Sequence, residues 1–263
     1  MKYPPIKLFS VLLLIGFTSC LYGQEKDKST TTDVFRRWQI GINFSPDYDY
    51  RILKLSDTSA LGRYTLKERN EGETAKFGFS VGLNLIYNCN KTIGIETGVQ
   101  FSDKGYQYKM DGSDLTFPDM TDPRSGFIYN GSSGSVIESL KYTDHFYYFD
   151  IPLKVNFNFG NGKVRFISST GIVTNIFIAD KVSTVVHYSN RKTDRYSNKN
   201  THEKFNSINL SPMISLGIDW KISNRQHIKI EPTFRYGVLK IINSQLTGYL
   251  WNAGINFGYY FGF

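Results

Sequence analysis

The chain has 263 residues, 16% of them aromatic, and a formal net charge of +8. Beyond the first residues no apolar run approaches the roughly 18 residues of a membrane-spanning helix, which excludes a helical membrane protein. The positive charge is spread along the chain without a nucleic-acid-binding motif, so no nucleic acid is expected as a partner. Many aromatic residues in a chain of modest hydropathy instead fit a barrel whose apolar residues face outward.

The N-terminus has the pattern of an export signal. Lys2 and Lys7 precede an apolar run from Leu8 to Phe17, whose length is typical of a signal peptide. We predict a signal peptide over residues 1–23 and a flexible periplasmic segment over residues 24–36. One alternative remains open, because Phe17-Thr18-Ser19-Cys20 loosely resembles a lipoprotein-processing site that would acylate Cys20. Removal of Cys20 would leave Cys89 as the only cysteine.

Residues 37–263 contain eight segments in which apolar and polar or small residues alternate. A period of two indicates β-strands with one apolar face. The pattern is clearest at the end of the chain, where Trp251, Ile255 and Phe257 alternate with Asn252 and Asn256. The expected strands are Arg37 to Asp47, Thr74 to Asn88, Thr92 to Tyr108, Lys141 to Phe159, Lys163 to Val182, Ser207 to Ile222, Gln226 to Ile241 and Tyr249 to Phe263.

The connections between these strands alternate in length. Short turns follow the second, fourth and sixth strands. The first is a three-residue turn at Cys89-Asn90-Lys91, which would pair Tyr87 with Ile93, and the second is an expected type I′ turn at Asn161-Gly162. Long loops follow the first, third and fifth strands, over Tyr48 to Glu73, Lys109 to Leu140 and Ser183 to Asn206. Outer-membrane barrels have short periplasmic turns and longer extracellular loops. We therefore predict an all-β fold, an eight-stranded antiparallel up-and-down transmembrane β-barrel over residues 37–263.

The C-terminal residues resemble the assembly signal of bacterial outer-membrane barrels, a polar residue, a glycine and two aromatic residues, ending on Phe. The matching positions are Asn256, Gly258, Phe261 and Phe263. The resemblance implies that the barrel-assembly machinery and the outer-membrane lipid bilayer are partners, in a Gram-negative bacterium. The alternative is the last strand of a soluble sandwich.

A second resemblance concerns the fourth strand. Tyr148-Phe149-Asp150-Ile151-Pro152-Leu153-Lys154 is similar to the Y-x-(D/E)-I-P-L-(L/K) stretch of PorT-like outer-membrane β-barrel proteins. That family is mostly described as outer-membrane or porin-like barrels, and one member is implicated in protein secretion. The resemblance implies the fold and indicates little about activity.

The inner faces of the predicted strands carry nearly matched charges. A three-residue turn at Ser223-Asn224-Arg225 places Asp219 opposite Lys229 and Gly217 opposite Glu231. Eight strands leave an interior just wide enough for side chains, so we predict a filled, non-conducting lumen. The predicted lumen charges are Glu96, Asp150, Lys154, Arg165, Asp219, Lys229, Glu231 and Arg235.

No constellation for catalysis or for a cofactor stands out. The four histidines are not at metal-ligand spacing, and Asp144 with His145 is an acid–histidine pair without an evident nucleophile. Asp111, Asp114, Asp119 and Asp122 could hold calcium, but a solvated loop fits them better. We therefore expect neither an enzyme nor a cofactor.

Two classes of function remain. The first is a structural or binding barrel that acts through its long extracellular loops, with lipopolysaccharide or a secretion-system protein as a possible partner. The second is a small-solute, porin-like channel. A further hypothesis is a soluble ligand-binding barrel. Aromatic girdles are expected at both membrane interfaces, with Tyr142, Tyr147 and Tyr148 at the outer one and Trp38, Trp220 and Phe263 at the inner one.

Overall fold

The computed structural model of the chain describes residues 35–55, 60–112, 121, 137–199, 205–242 and 246–263. The expected signal peptide, Cys20, and the loop residues Asp114, Asp119 and Asp122 lie outside the described residues. The elements are β1 (Trp38–Leu55), α1 (Ala60–Gly72), β2 (Glu73–Thr74), β3 (Lys76–Asn88), β4 (Ile93–Asp111), β5 (Ile137–Phe159), β6 (Val164–Tyr188), β7 (Thr193–Lys199), β8 (Ile208–Lys221), β9 (Gln226–Tyr236) and β10 (Leu246–Gly262).

Eight of these strands form a closed antiparallel ring in the order β1, β3, β4, β5, β6, β8, β9 and β10. The ring closes where β1 pairs with β10, from Gln39 opposite Gly262 to Leu55 opposite Leu246. The short strands β2 and β7 are additions, paired with β4 and β6. The predicted eight-stranded fold is therefore confirmed.

No helix among the described residues is long and apolar enough to cross a membrane.

The strands place their apolar side chains on the outside of the ring. In β1, exposed Ile40, Ile42 and Phe44 alternate with buried Asn43 and Ser45. A soluble protein buries its apolar face, and this chain does the opposite. Such an arrangement is stable where lipid surrounds the ring and hydrogen bonds satisfy the polar groups inside it.

Two turns differ from their predicted form. Asn161-Gly162 does not form a type I′ turn, which requires positive φ at both residues, because the positive φ here belongs to Gly160, at 98°. After β3, Asn90 Oδ1 accepts hydrogen bonds from the backbone nitrogens of Thr92 and Ile93.

The turn after β3 therefore takes more residues than predicted. Tyr87 lies opposite Ile95 and not opposite Ile93. The shift is two residues, so every side chain keeps its predicted face.

The strands extend further from the membrane than predicted. The expected loop at 48–73 instead contains the end of β1, the helix α1 and the strand β2. The expected loop at 183–206 contains the end of β6 and β7, which form a hairpin. Outside the membrane both faces of a strand can be polar, so these segments lack the apolar alternation that reveals a strand.

Two apolar clusters lie inside the half of the molecule that carries the long strand ends. The first contains Tyr106, Phe146, Tyr148, Ile241 and Leu250, with Phe205 and Phe177 packed against them. The second contains Leu140, Tyr142, Val182 and Val186, between the long ends of β5 and β6. Tyr148 and Tyr142 were expected in the outer girdle, and that expectation is wrong because both face inward. Trp38, Trp220 and Phe263 are exposed.

Candidate functional site

Glu96 lies in the middle of the ring, and its side chain is fully buried. β4 directs it inward, and four neighbouring groups surround it. Asn84 Nδ2 donates to Oε1 at 2.6 Å, Asn156 Nδ2 donates to Oε2 at 2.7 Å, and the Tyr260 hydroxyl donates to Oε1 at 3.0 Å. Lys154 Nζ lies 3.0 Å from the same Oε1. A buried carboxylate is tolerated only with such a set of partners.

Lys154 connects Glu96 to a second buried carboxylate. Its Nζ lies 3.5 Å from Glu231 Oε2, and the hydroxyls of Ser169 and Ser215 donate to Glu231 Oε1 at 3.1 and 3.2 Å. Lys229 Nζ lies 3.9 Å from Glu96 and 4.6 Å from the centre of the Tyr260 ring. Two acids and two bases are thus balanced in one layer, which we call the charged layer (Glu96, Lys154, Lys229, Glu231).

Further ion pairs lie toward both ends of the interior. At the end with the short turns, Asp219 pairs with Arg165 and with His227 Nδ1, the latter at 3.2 Å. Toward the long strand ends, Asp150 pairs with Lys104 at 2.8 Å, and Arg235 pairs with Asp47 at 3.1 Å. Every one of the eight residues predicted as lumen charges is engaged in an ion pair or a hydrogen bond, Asp150 also accepting from Asn175 at 2.7 Å.

The predicted pairing across β8 and β9 is present. Asp219 lies opposite Lys229, and Gly217 lies against Glu231, where a Cβ would meet the Glu231 Cα at 2.8 Å. Glycine at position 217 therefore leaves the space in which the Glu231 backbone approaches. Several partners were absent from the prediction, namely Asp47, Asn84, Lys104, Asn156, His227 and Tyr260. Inward alternation already placed Asn84, Asn156 and Tyr260 on this face, but an uncharged side chain gives no signal of pairing.

The mouth of the ring on the side of the long strand ends is occupied by the first apolar cluster, which we call the aromatic layer (Tyr106, Phe146, Tyr148, Ile241, Leu250). Phe205 reaches into it, with its ring 5.2 Å from that of Phe146. Between the two layers is a pocket lined in part by Lys104, Asn175 and Asn252, with space for roughly one water molecule. The side chains of both layers are buried inside the described part of the ring.

A third group of charges lies above the membrane-crossing part of β1. Arg51 pairs with Glu73, and its guanidinium lies 3.7 Å from the centre of the Tyr106 ring. Burial alone would lower the pKa of Arg51, but Tyr106 and Glu73 outweigh it and raise that pKa. Arg69 of α1 also contacts Glu73, at 3.1 Å. These contacts attach α1 to the mouth of the ring.

The candidate pair of Asp144 and His145 is not formed. Neighbouring residues of a strand point to opposite faces, so Asp144 is buried inside while His145 is half-buried on the other face. His145 Nδ1 instead lies 2.9 Å from Asp103, which in turn pairs with Lys76 at 2.6 Å. Among the described residues, no group of three or more acidic, histidine or cysteine side chains is placed to hold a metal ion.

The four residues of the predicted assembly signal divide between the two faces of β10. Asn256 and Gly258 face inward, and Asn43 Nδ2 donates to Asn256 Oδ1 at 3.0 Å. Phe261 and Phe263 face outward and are exposed. Phe263 N donates to Trp38 O at 3.0 Å, at the seam between the first and last strands.

The chain shares its sequence pattern with one family. The model of that family, described as outer membrane protein beta-barrel domain, matches residues 54–243. No curated protein matches the chain.

Several solved structures are similar to the chain at low identity. Ail, the attachment invasion locus protein of Yersinia pestis, is 12% identical with a TM-score of 0.33, over 86% of this chain and 99% of Ail. OprG from Pseudomonas aeruginosa is 14% identical with a TM-score of 0.39, over 89% and 100%. The outer membrane protease OmpT from Escherichia coli is 8% identical with a TM-score of 0.39, over 90% and 99%.

Proposed function

Because this chain belongs to the outer membrane protein beta-barrel domain family, and so to the outer membrane of a Gram-negative bacterium, we propose that it is a plugged barrel that binds its partners at the cell surface. In this proposal the ring serves as an anchor and the extracellular strand ends carry the activity. No catalytic step is assigned to it.

The observation that carries the proposal is that two layers of buried side chains, the charged layer and the aromatic layer, occupy the interior of the ring. The charged layer has side chains whose exposure is 5% or less. The aromatic layer lies above it, with Phe146 and Tyr148 buried. A pore needs water along its whole length, and eight strands leave no space for water beside such side chains.

The length of the strands also supports a role in binding. β5 and β6 have 23 and 25 residues, whereas a tilted strand crosses the hydrocarbon with about 9–11. A substantial part of each strand therefore projects from the membrane. A rigid sheet holds a binding surface in place at a lower entropy cost than a flexible loop does.

Planar-bilayer recording of the refolded protein tests the proposal. We expect no stable conductance at neutral pH from protein that is verified as monomeric and folded by its shifted migration when unboiled. Ohmic single-channel steps would contradict the plugged barrel and favour the alternative, a small-solute channel.

A finer assignment is part of the same proposal. The stretch Tyr148 to Lys154 supports membership of the PorT-like group and, with it, a place beside a protein-secretion system. Co-purification from native outer membranes, with the intact chain and with a chain whose β6–β7 hairpin is removed, tests this. Recovery of the same membrane proteins with both chains would argue against a partner bound at the hairpin.

A further inference from the structure

The outward side chains of β5 change from apolar to polar at Tyr147. From Phe159 to Tyr147 its outward side chains are apolar, and from His145 to Ser139 they are polar or charged. Twelve residue steps of about 3.3 Å, tilted by about 40°, cover about 30 Å, the thickness of the hydrocarbon core. Tyr147 therefore marks the outer membrane interface, and the ends of β4 to β7 above it form a sheet whose outer side we call the outer wall.

Two rows of positive charge cross the outer wall. In the lower row, Lys181 lies opposite Lys199. Lys181 also lies opposite His145, which pairs with Asp103 and is not counted as a free positive charge. In the upper row, Lys109 lies opposite Lys141, Lys141 opposite Val185, and Val185 opposite Arg195. Between the two rows is a neutral row of hydrogen-bonding side chains, formed by Gln107, Thr143, Ser183 and Ser197.

Within the described residues, no acidic side chain pairs with Lys141, Lys181, Arg195 or Lys199. Lys109 has Asp111 at 3.4 Å, but both side chains are largely exposed, and such a pair contributes little. Lys109 and Lys141 are direct cross-strand neighbours, as are Lys181 and Lys199, and like charges placed opposite one another destabilise a sheet. An anionic partner would remove that repulsion.

The height of the rows indicates which anion is in reach. The lower row lies two residues above Tyr147, or about 5 Å above the hydrocarbon, and the upper row six residues above it, or about 15 Å. The side chains point sideways, in the direction that faces lipid lower on the same strands. Lipopolysaccharide carries phosphates at the membrane surface and on the sugars above it, with hydroxyl groups between them.

We propose that the outer wall binds lipopolysaccharide, with its phosphates on the two cationic rows and its sugar hydroxyls on the neutral row between them. The inference rests on the proposed function because it requires the long strand ends to be extracellular. It deepens that function by naming the surface and the chemistry of one partner.

A binding measurement with matched variants tests the proposal. The folded protein, labelled at Cys89 on an exposed turn after β3, is titrated in detergent with purified lipopolysaccharide before and after phosphatase treatment. The test variant is K109Q/K141Q/R195Q. The control is K91Q/K163Q/R225Q. Like the test variant, it replaces two lysines and one arginine, but at exposed positions in the short turns at the opposite end of the ring.

We expect the test variant to bind phosphorylated lipopolysaccharide roughly 100-fold more weakly than the wild type, since it lacks three cations and each cation near a charged surface contributes about fivefold. The control variant should bind like the wild type. Phosphatase treatment should weaken binding to the wild type by a similar factor and hardly change binding to the test variant. Added salt should weaken lipopolysaccharide binding more for the wild type than for the test variant, because salt screens charge interactions.

Equal affinities for the wild type and the test variant would overturn the proposal, as would an equal loss in the control variant. Equal binding of anionic phosphatidylglycerol micelles with the same dependence on these residues would overturn the assignment to lipopolysaccharide. If the upper-row variant does not fold, K181Q/K199Q in the lower row is measured by the same criteria. Ohmic conductance with unchanged lipopolysaccharide binding would refute the plugged barrel and leave this inference standing.

Discussion

At the centre of the interior, Lys154 Nζ lies between Glu96 and Glu231, at 3.0 and 3.5 Å. K154M would leave two buried carboxylates facing the single charge of Lys229. We expect it to lower the free energy of unfolding by about 3–5 kcal/mol, measured by urea titration of the protein refolded in lipid vesicles. The same substitution at exposed Lys163 is the control.

A second substitution separates charge from packing at this position. K154M/E231Q removes one base and one acid and leaves Glu96 with Lys229, so the layer is neutral again. We expect most of the lost stability to return. If the double variant is as unstable as K154M, the loss comes from packing and the charge argument is wrong.

At the scale of single elements, we expect that the ring does not need the tip of the β6–β7 hairpin. The pairing of β6 with β8 runs from Val164 to Ile176, below the hairpin. Deletion of Val185 to Arg195, with Thr184 joined to Tyr196 by Asn-Gly, should therefore leave a heat-resistant barrel with shifted migration on unboiled gels. A control that removes the same number of residues from β8 should abolish that shift.

The last strand supports a different prediction, which concerns assembly. Phe263 is 59% exposed and contacts the seam of the ring through its backbone. Deletion of Phe263 should lower the amount of protein in the outer membrane while refolding in detergent stays nearly unchanged. F159A alters an outward aromatic residue on another strand and serves as the control. Equal cellular levels of the deletion and the wild type would show that Phe263 is not read during assembly.

The elements also show what the sequence can and cannot predict. The inward and outward faces of the strands follow from alternation. They are predicted correctly even where the predicted register differs by two residues from the observed one, as for Tyr87. The ends of β1 and β6 could not be found, because Arg51 and Thr184 face a polar or mixed interior above the membrane and no apolar contrast marks them. The Glu96–Lys154–Glu231 contact joins β4, β5 and β9, and no pattern within one strand predicts it.

At the scale of the whole molecule, the charged layer and the aromatic layer lie in series. Opening either one alone should leave the barrel closed. We expect no conductance from K154S/E231S, which removes two opposite charges, nor from F146S/Y148S. The combined variant should show single-channel steps in planar bilayers. Conductance from either pair alone would mean that one layer forms the seal and the other does not.

The extended strands are not distributed evenly around the ring. β4, β5 and β6 reach far above the interface on one side, while β8 and β9 have only 14 and 11 residues on the other. The molecule thus has a front and a back in the plane of the membrane. Neighbours that diffuse toward it meet a tall, cationic surface from one direction and a low rim from the opposite one. In a crowded outer leaflet, the orientation of the protein about its own axis then decides which neighbours it can hold.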